Sequence, residues 1–314
     1  MLFYLTRDNR KDLFSNRIVK IIFYLKFLGL YFRLFSKLKG GKMNKSFIYL
    51  PIILAIILIF SCKESSNPGA PPISTNRSRN GIFLHHSTGE CIWGPNGSNT
   101  SVPQEVSTYN NSHGFTGNNA FNLSETWFPN NPGDNNEWER WHRIFENRDP
   151  GAVITPYYNS YGIIIIKSCF PSSAIESIGE PSDTLEPTLK TIYNYKWHWR
   201  HIINAMRTQP NIFFVIWTNA PLVEAETNPT EAALSRQFCI WAKDTLAQGL
   251  DPVFGQFPRN VYVFDFFRKL TDSNGFMLLQ YATAYNDSHP NAAATQLVAP
   301  QLVQEIFNAY LSWK

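Results

Sequence analysis

The chain has 314 residues, of which 44% are apolar, 15% aromatic and 17% charged. That is enough material for a generous core, and it excludes both a peptide-like scaffold and a disordered polymer. The 28 Lys+Arg against 24 Asp+Glu give a formal charge of +4, but residues 1–42 hold ten basic and two acidic side chains, and from Cys62 onward 17 basic face 22 acidic ones, a net −5. With no Walker loop, no G-x-G-x-x-G and no zinc-finger spacing, nucleotide and nucleic-acid partners have no support.

Residues 1–42 precede a segment that already reads as a complete export signal. They are either an extension wrongly joined to a chain that starts at Met43, or a basic amphipathic arm with Phe23, Phe27, Leu30 and Leu34 as its apolar stripe. Over 43–61 a short basic start leads into Phe47 to Phe60, fourteen apolar residues that suit a secretory signal better than a membrane span. The run ends in Ile-Phe-Ser-Cys, which resembles the lipobox of bacterial lipoproteins and implies a lipid on Cys62 and a place in the cell envelope, anchored in a bacterial membrane. Residues 62–79, rich in Ser, Pro, Gly and Asn, read as a flexible tether, and 80–314 as one globular domain.

Within that domain, strands are expected at Ile82 to His85, Tyr161 to Lys167, Ile212 to Trp217 and Val261 to Phe264. Runs this apolar suit strands buried on both faces of a parallel sheet. Helices are expected from Glu137 to Asn147 behind Asp134, from Thr184 to Met206 behind Asp183, and from Glu231 to Gln248 behind Thr230. A last one follows Asn291 and is kinked or split by Pro300. The Asn- and Gly-rich stretch 94–136 offers at most one poorly marked strand.

Ligands of a parallel sheet bind beyond the carboxyl ends of its strands. His85-His86-Ser87-Thr88-Gly89 follows the first strand, and Asn286-Asp287-Ser288-His289-Pro290-Asn291 precedes the last helix. A hydroxyl nucleophile needs a base, and the base needs an orienting acceptor; Ser87, His289 and Asp287 supply all three. On these motifs and the order of elements, residues 80–312 resemble the SGNH (GDSL-like) hydrolases, in a branch with HHSTG, KSCFPSS and DSHPN. The resemblance implies a flavodoxin-like three-layer α/β/α sandwich with a central parallel sheet, Ser87 as nucleophile, His289 as base, and ester or acyl chemistry without a cofactor or metal.

The chain departs from that family in three places. Gly-Asp-Ser reads His-His-Ser, the acid expected three residues before His289 falls on Asn286 while Asp287 lies two before it, and G-x-N-D after the Tyr161 to Lys167 strand reads Lys167-Ser168-Cys169-Phe170. Oxyanion donors are therefore sought in the Ser87 amide, Ser168 and Gly117, with Gly114 as the other glycine, and His86 is a candidate substrate contact. The expected activity is a lipid-anchored serine esterase or deacetylase acting on a small or carbohydrate ester. The alternative is a glycan-binding lipoprotein on the same fold without catalysis.

Other residues compete for a role. Cys91 and Cys169 could pair in an oxidising envelope, and a Cys169 nucleophile lacks a His beside it in sequence. Asp265 is a rival acid, His198 and His201 are spaced as metal ligands but read as an ordinary helix face, and Trp93, Trp127, Trp138 and Trp141 suit sugar stacking.

Overall fold

The computed structural model describes residues 78–130 and 136–313. The expected extension, signal and tether up to residue 77, with Cys62 and Asp134, lie outside the described residues. No helix among the described residues is long and apolar enough to cross a membrane.

Five parallel strands form the central sheet: β1 (Asn80–His85), β2 (Asn122–Trp127), β3 (Ile163–Ile166), β4 (Phe213–Trp217) and β5 (Val261–Phe264), in the order β2-β1-β3-β4-β5. β3 is four consecutive isoleucines and β4 reads Phe-Phe-Val-Ile-Trp, all buried. Alternation sends one set to each face. Ile82, Leu84, Ile164, Ile166, Phe214 and Ile216 pack beneath α3 (Glu137–Phe145), α5 (Ile192–Arg207) and α6 (Pro229–Ile240). Phe83, Ile163, Ile165, Phe213, Val215 and Trp217 pack beneath α1 (Ser87–Trp93), α2 (Val102–His113) and α8 (Ala292–Ser312). This is the three-layer α/β/α sandwich expected from the sequence.

Several local expectations change. α2 adds a helix to the stretch 94–136, where its Ser101 cap and buried Val102, Val106 and Tyr109 stand in a polar sequence. The helix expected behind Asp183 is divided: Asp183 sits in a 3-10 turn, Pro181–Leu185, and α5 starts only after Pro187, capped by Thr191. Asn136 caps α3, Asn228 caps α6 with Pro229 in its first turn, and a π-helical turn, Trp241–Leu246, extends α6. α8 runs unbroken through Pro300.

Between β5 and α8 lie the short α7 (Phe266–Leu270) and a hairpin, β6 (Ala282–Ala284) with β7 (Asp287–Pro290). α4 (Thr155–Ser160) leads into β3. The chain leaves β1 to one side for β2 and returns to the other for β3, so the switch in winding falls between β1 and β3. A crevice for ligands is expected outside their carboxyl ends.

Candidate active site

His85-His86-Ser87 leaves the end of β1 and Lys167-Ser168-Cys169 leaves the end of β3, so the two segments meet at the switch point. Ser87 opens α1, where its own amide and that of Thr88 have no acceptor in a preceding turn. The hairpin brings the third segment. Alternation along β7 turns Ser288 inward, where its hydroxyl donates to Glu226 and accepts from the Val223 amide at 3.0 Å, and this presents Asp287 and His289 on the other side. The Asn96 side chain donates to the Pro290 carbonyl at 2.8 Å and ties the hairpin to the loop after α1.

Ser87 Oγ lies 3.0 Å from His289 Nε2, and His289 Nδ1 lies 2.6 Å from Asp287 Oδ1. The His289 backbone N–H donates to the same oxygen at 3.0 Å. That amide first, and the ring second, hold the Asp287 carboxyl below the usual carboxylate range. With Nδ1 donating to Asp287, Nε2 is left to accept from the Ser87 hydroxyl. Phe170 stands edge-on to the imidazole at 4.7 Å between ring centres and limits its rotation. Asp265 caps α7 and pairs with Arg268.

His86 and Gly117 are placed elsewhere than expected. The His86 ring is fully buried behind Ser87, where Nε2–H donates to the Pro129 carbonyl at 2.7 Å and Nδ1 lies 2.9 Å from Glu137 Oε1, so it has no face for a substrate. His85 is buried as well: its Nδ1–H donates to the His86 carbonyl at 3.0 Å, and burial lowers it to about 4. Gly117 and Gly114 follow α2 and lead into the amino end of β2, the opposite edge of the sheet from Ser87. Ser168 is buried at the end of β3, and its hydroxyl has no hydrogen-bond partner among the described residues.

A second group of ionisable side chains, not assembled from the sequence, lies beneath the serine. Cys169 Sγ is 3.7 Å from Ser87 Oγ and 3.9 Å from Thr88 Oγ1, and the Cys169 amide donates to Glu137 Oε2. Burial pushes the Cys169 thiol up, but the Lys167 ammonium and hydrogen bonding with His86 outweigh it and bring it to about 6. Burial likewise pushes His86 down, while Cys169 and Glu137 outweigh it and raise the imidazole to about 9. In sequence Glu137 marks only the start of a helix, and His86 is a candidate substrate contact rather than a partner of Cys169. Cys91, Cys169 and Cys239 are free thiols, and the Cys91–Cys169 pairing that the sequence left open is not made in this structure.

Of the tryptophans, Trp138 and Trp141 are core, whereas Trp127 is 42% exposed at the end of β2, with its ring 5.2 Å from that of His86. His198 and His201 gather with His142 between α3 and α5, and no grouping among the described residues has the arrangement to hold a metal ion.

No protein-family model and no curated protein sequence matches the chain. Two solved structures are similar in outline. A Bacteroides fragilis protein described as an acylhydrolase is 13% identical over 73% of this chain and 87% of its own, with a TM-score of 0.38. A family two carbohydrate esterase from Clostridium thermocellum, solved with cellohexaose, is 15% identical over 78% of this chain and 67% of its own, with a TM-score of 0.40. Likenesses this distant leave the chemistry to be argued from the site itself.

Proposed function

We propose that the protein is a serine ester hydrolase. The observation that carries the reading is the chain of contacts Ser87 Oγ to His289 Nε2 at 3.0 Å and His289 Nδ1 to Asp287 Oδ1 at 2.6 Å, joined across 202 positions of sequence at the switch point of the sheet. In the first half-reaction Ser87 Oγ attacks the ester carbonyl carbon as Nε2 takes its proton. The carbonyl π pair moves to oxygen, and collapse of the adduct expels the alcohol with the proton returned by Nε2. Water repeats the sequence on the acyl-serine and releases the acid. Asp287 keeps Nε2 unprotonated before attack and stabilises the imidazolium afterwards. The Ser87 and Thr88 amides at the start of α1 are the donors offered to the oxyanion.

The substrate is a carbohydrate ester, and the protein reaches it as an exported chain anchored through lipid on Cys62. The exposed Trp127 beside His86 supports the first point by offering a face on which a sugar ring can stack. The second rests on the sequence pattern over 43–62.

The test is hydrolysis of aryl acetates and acetylated oligosaccharides by the purified protein beside Ser87→Ala. Turnover should fall by at least about 10³-fold in the variant. Equal rates would remove Ser87 from the chemistry.

A further inference from the structure

Four ionisable side chains are packed under Ser87 without a place in the ester mechanism. Lys167, His86 and Glu137 are each about 1% exposed or less, and Cys169 is 6% exposed. Burying an unpaired charge is costly, so such a set persists when its charges cancel. The Lys167 ammonium and the His86 imidazolium contribute two positive charges, and the Glu137 carboxylate answers one of them at 2.9 Å from His86. The remaining negative charge falls to Cys169, and among the described residues Lys167 Nζ has no hydrogen-bond partner that would satisfy it another way. Lys167 and Cys169 leave the same strand end, and the Lys167 and His86 charges both bear on the sulfur. In sequence Cys169 has no neighbouring histidine. The fold sets the charged His86 ring, held by Glu137 at 2.9 Å, where it favours the thiolate.

We propose that Cys169 is a thiolate and a site of oxidation by hydroperoxides, lying against the serine. In the step, sulfur attacks the distal oxygen of the peroxide, an S–O bond forms as the O–O bond breaks, and the hydroxyl group passes to sulfur. Cysteine is oxidised by two electrons to the sulfenic acid, while the peroxide is reduced to an alkoxide or hydroxide that takes a proton from the His86 imidazolium. Ser87 Oγ already touches Sγ at 3.7 Å, so an oxygen added to the sulfur on that side displaces the serine hydroxyl from its place beside His289. Oxidation therefore blocks ester hydrolysis until a thiol reductant restores the thiolate. This consequence rests on the hydrolase reading; the oxidation itself does not.

Cys91 is a built-in comparison. It is the more exposed of the two thiols, yet burial and the neighbouring Glu90 raise it to about 11. The groups bearing on Cys169 are Lys167, His86, Glu137 and Ser87. The experiment treats the full chain with hydrogen peroxide in the presence of dimedone from about pH 5 to about pH 9 and maps the adducts by peptide mass spectrometry. The expected result is an adduct on Cys169 ahead of Cys91, rising to half its maximum near pH 6. Labelling of Cys91 first, or of Cys169 only in the pH range of an ordinary thiol, would overturn the proposal, and both can be read on the unaltered protein. In parallel, hydrolysis by the wild type should fall with peroxide and return with dithiothreitol, while Cys169→Ser keeps the same rate before and after peroxide. Equal inactivation of that variant would overturn the link to Ser87. Absence of hydrolysis before any peroxide would overturn the hydrolase reading and leave the adduct map to decide Cys169.

Discussion

Asp287 Oδ1 accepts two hydrogen bonds from His289, one from the backbone N–H at 3.0 Å and one from the ring Nδ1–H at 2.6 Å. The two-residue spacing makes this possible, because a strand residue and its second neighbour lie on the same face. Asp287→Asn should therefore lower kcat for an aryl acetate by about 10²-fold or more, less than for a fully buried acid because the carboxylate is partly exposed. Asn286→Ala should stay within about a few-fold of wild type. Steady-state kinetics on the two variants distinguish the two positions, and the reverse order of effects would exclude Asp287.

The Glu137 carboxylate has two obligations, the His86 imidazolium and the Cys169 amide. Glu137→Gln keeps the shape and removes the charge, leaving a buried cation unanswered. The expected loss is about 3–5 kcal/mol, measured by urea denaturation. A midpoint equal to wild type would mean that the buried pair is not ionised.

Burial lowers His85 and His142 to about 4 and His198 to about 3. In the unfolded chain these groups titrate near 6.5, so below that pH the unfolded state binds more protons. Their contribution is complete above about pH 6.5 and is lost as pH falls toward 4, by up to about 1.4 kcal/mol per pH unit for each histidine still neutral. His86 acts in the opposite sense: raised to about 9, it contributes below pH 6.5, and that contribution disappears as pH rises through 9. Thermal melts from acid to alkaline pH should show a decline on both sides, with His198→Gln flattening the acid side. A melting temperature independent of pH between 6.5 and 4 would contradict the burial of these rings.

Gly89 lies over His85, where an added Cβ would come within 2.4 Å of the histidine Cβ and 2.6 Å of its Cγ. Gly89→Ala must push α1 off the end of β1, and α1 carries Ser87 at its start. The clash of about 1–3 kcal/mol outweighs the gain in helix propensity of about 1 kcal/mol, so both melting temperature and kcat should fall. A more stable and equally active variant would show that α1 has room to spare.

The layered fold was legible because β1, β3, β4 and β5 are runs of apolar residues buried on both faces, a pattern that few alternatives satisfy. Ser87, Asp287 and His289 were legible as motifs at strand ends, and the structure sets them in contact. α2 was hidden because a helix that buries only Val102, Val106 and Tyr109 leaves little periodicity in a polar sequence. The long helix behind Asp183 failed at Pro187, where a proline outweighed a favourable cap. The Glu137, His86, Lys167 and Cys169 group was invisible for a different reason. Its members come from three separate segments, each with an ordinary local explanation, and only the closing of β1 against β3 beneath α3 brings them together.

The most direct measurement of the central claim is the mass of the protein after exposure to a fluorophosphonate, with the modified peptide sequenced. One adduct on Ser87, absent from His289→Ala, is the predicted result. An intact Ser87 under conditions in which the protein still hydrolyses an aryl acetate would contradict it.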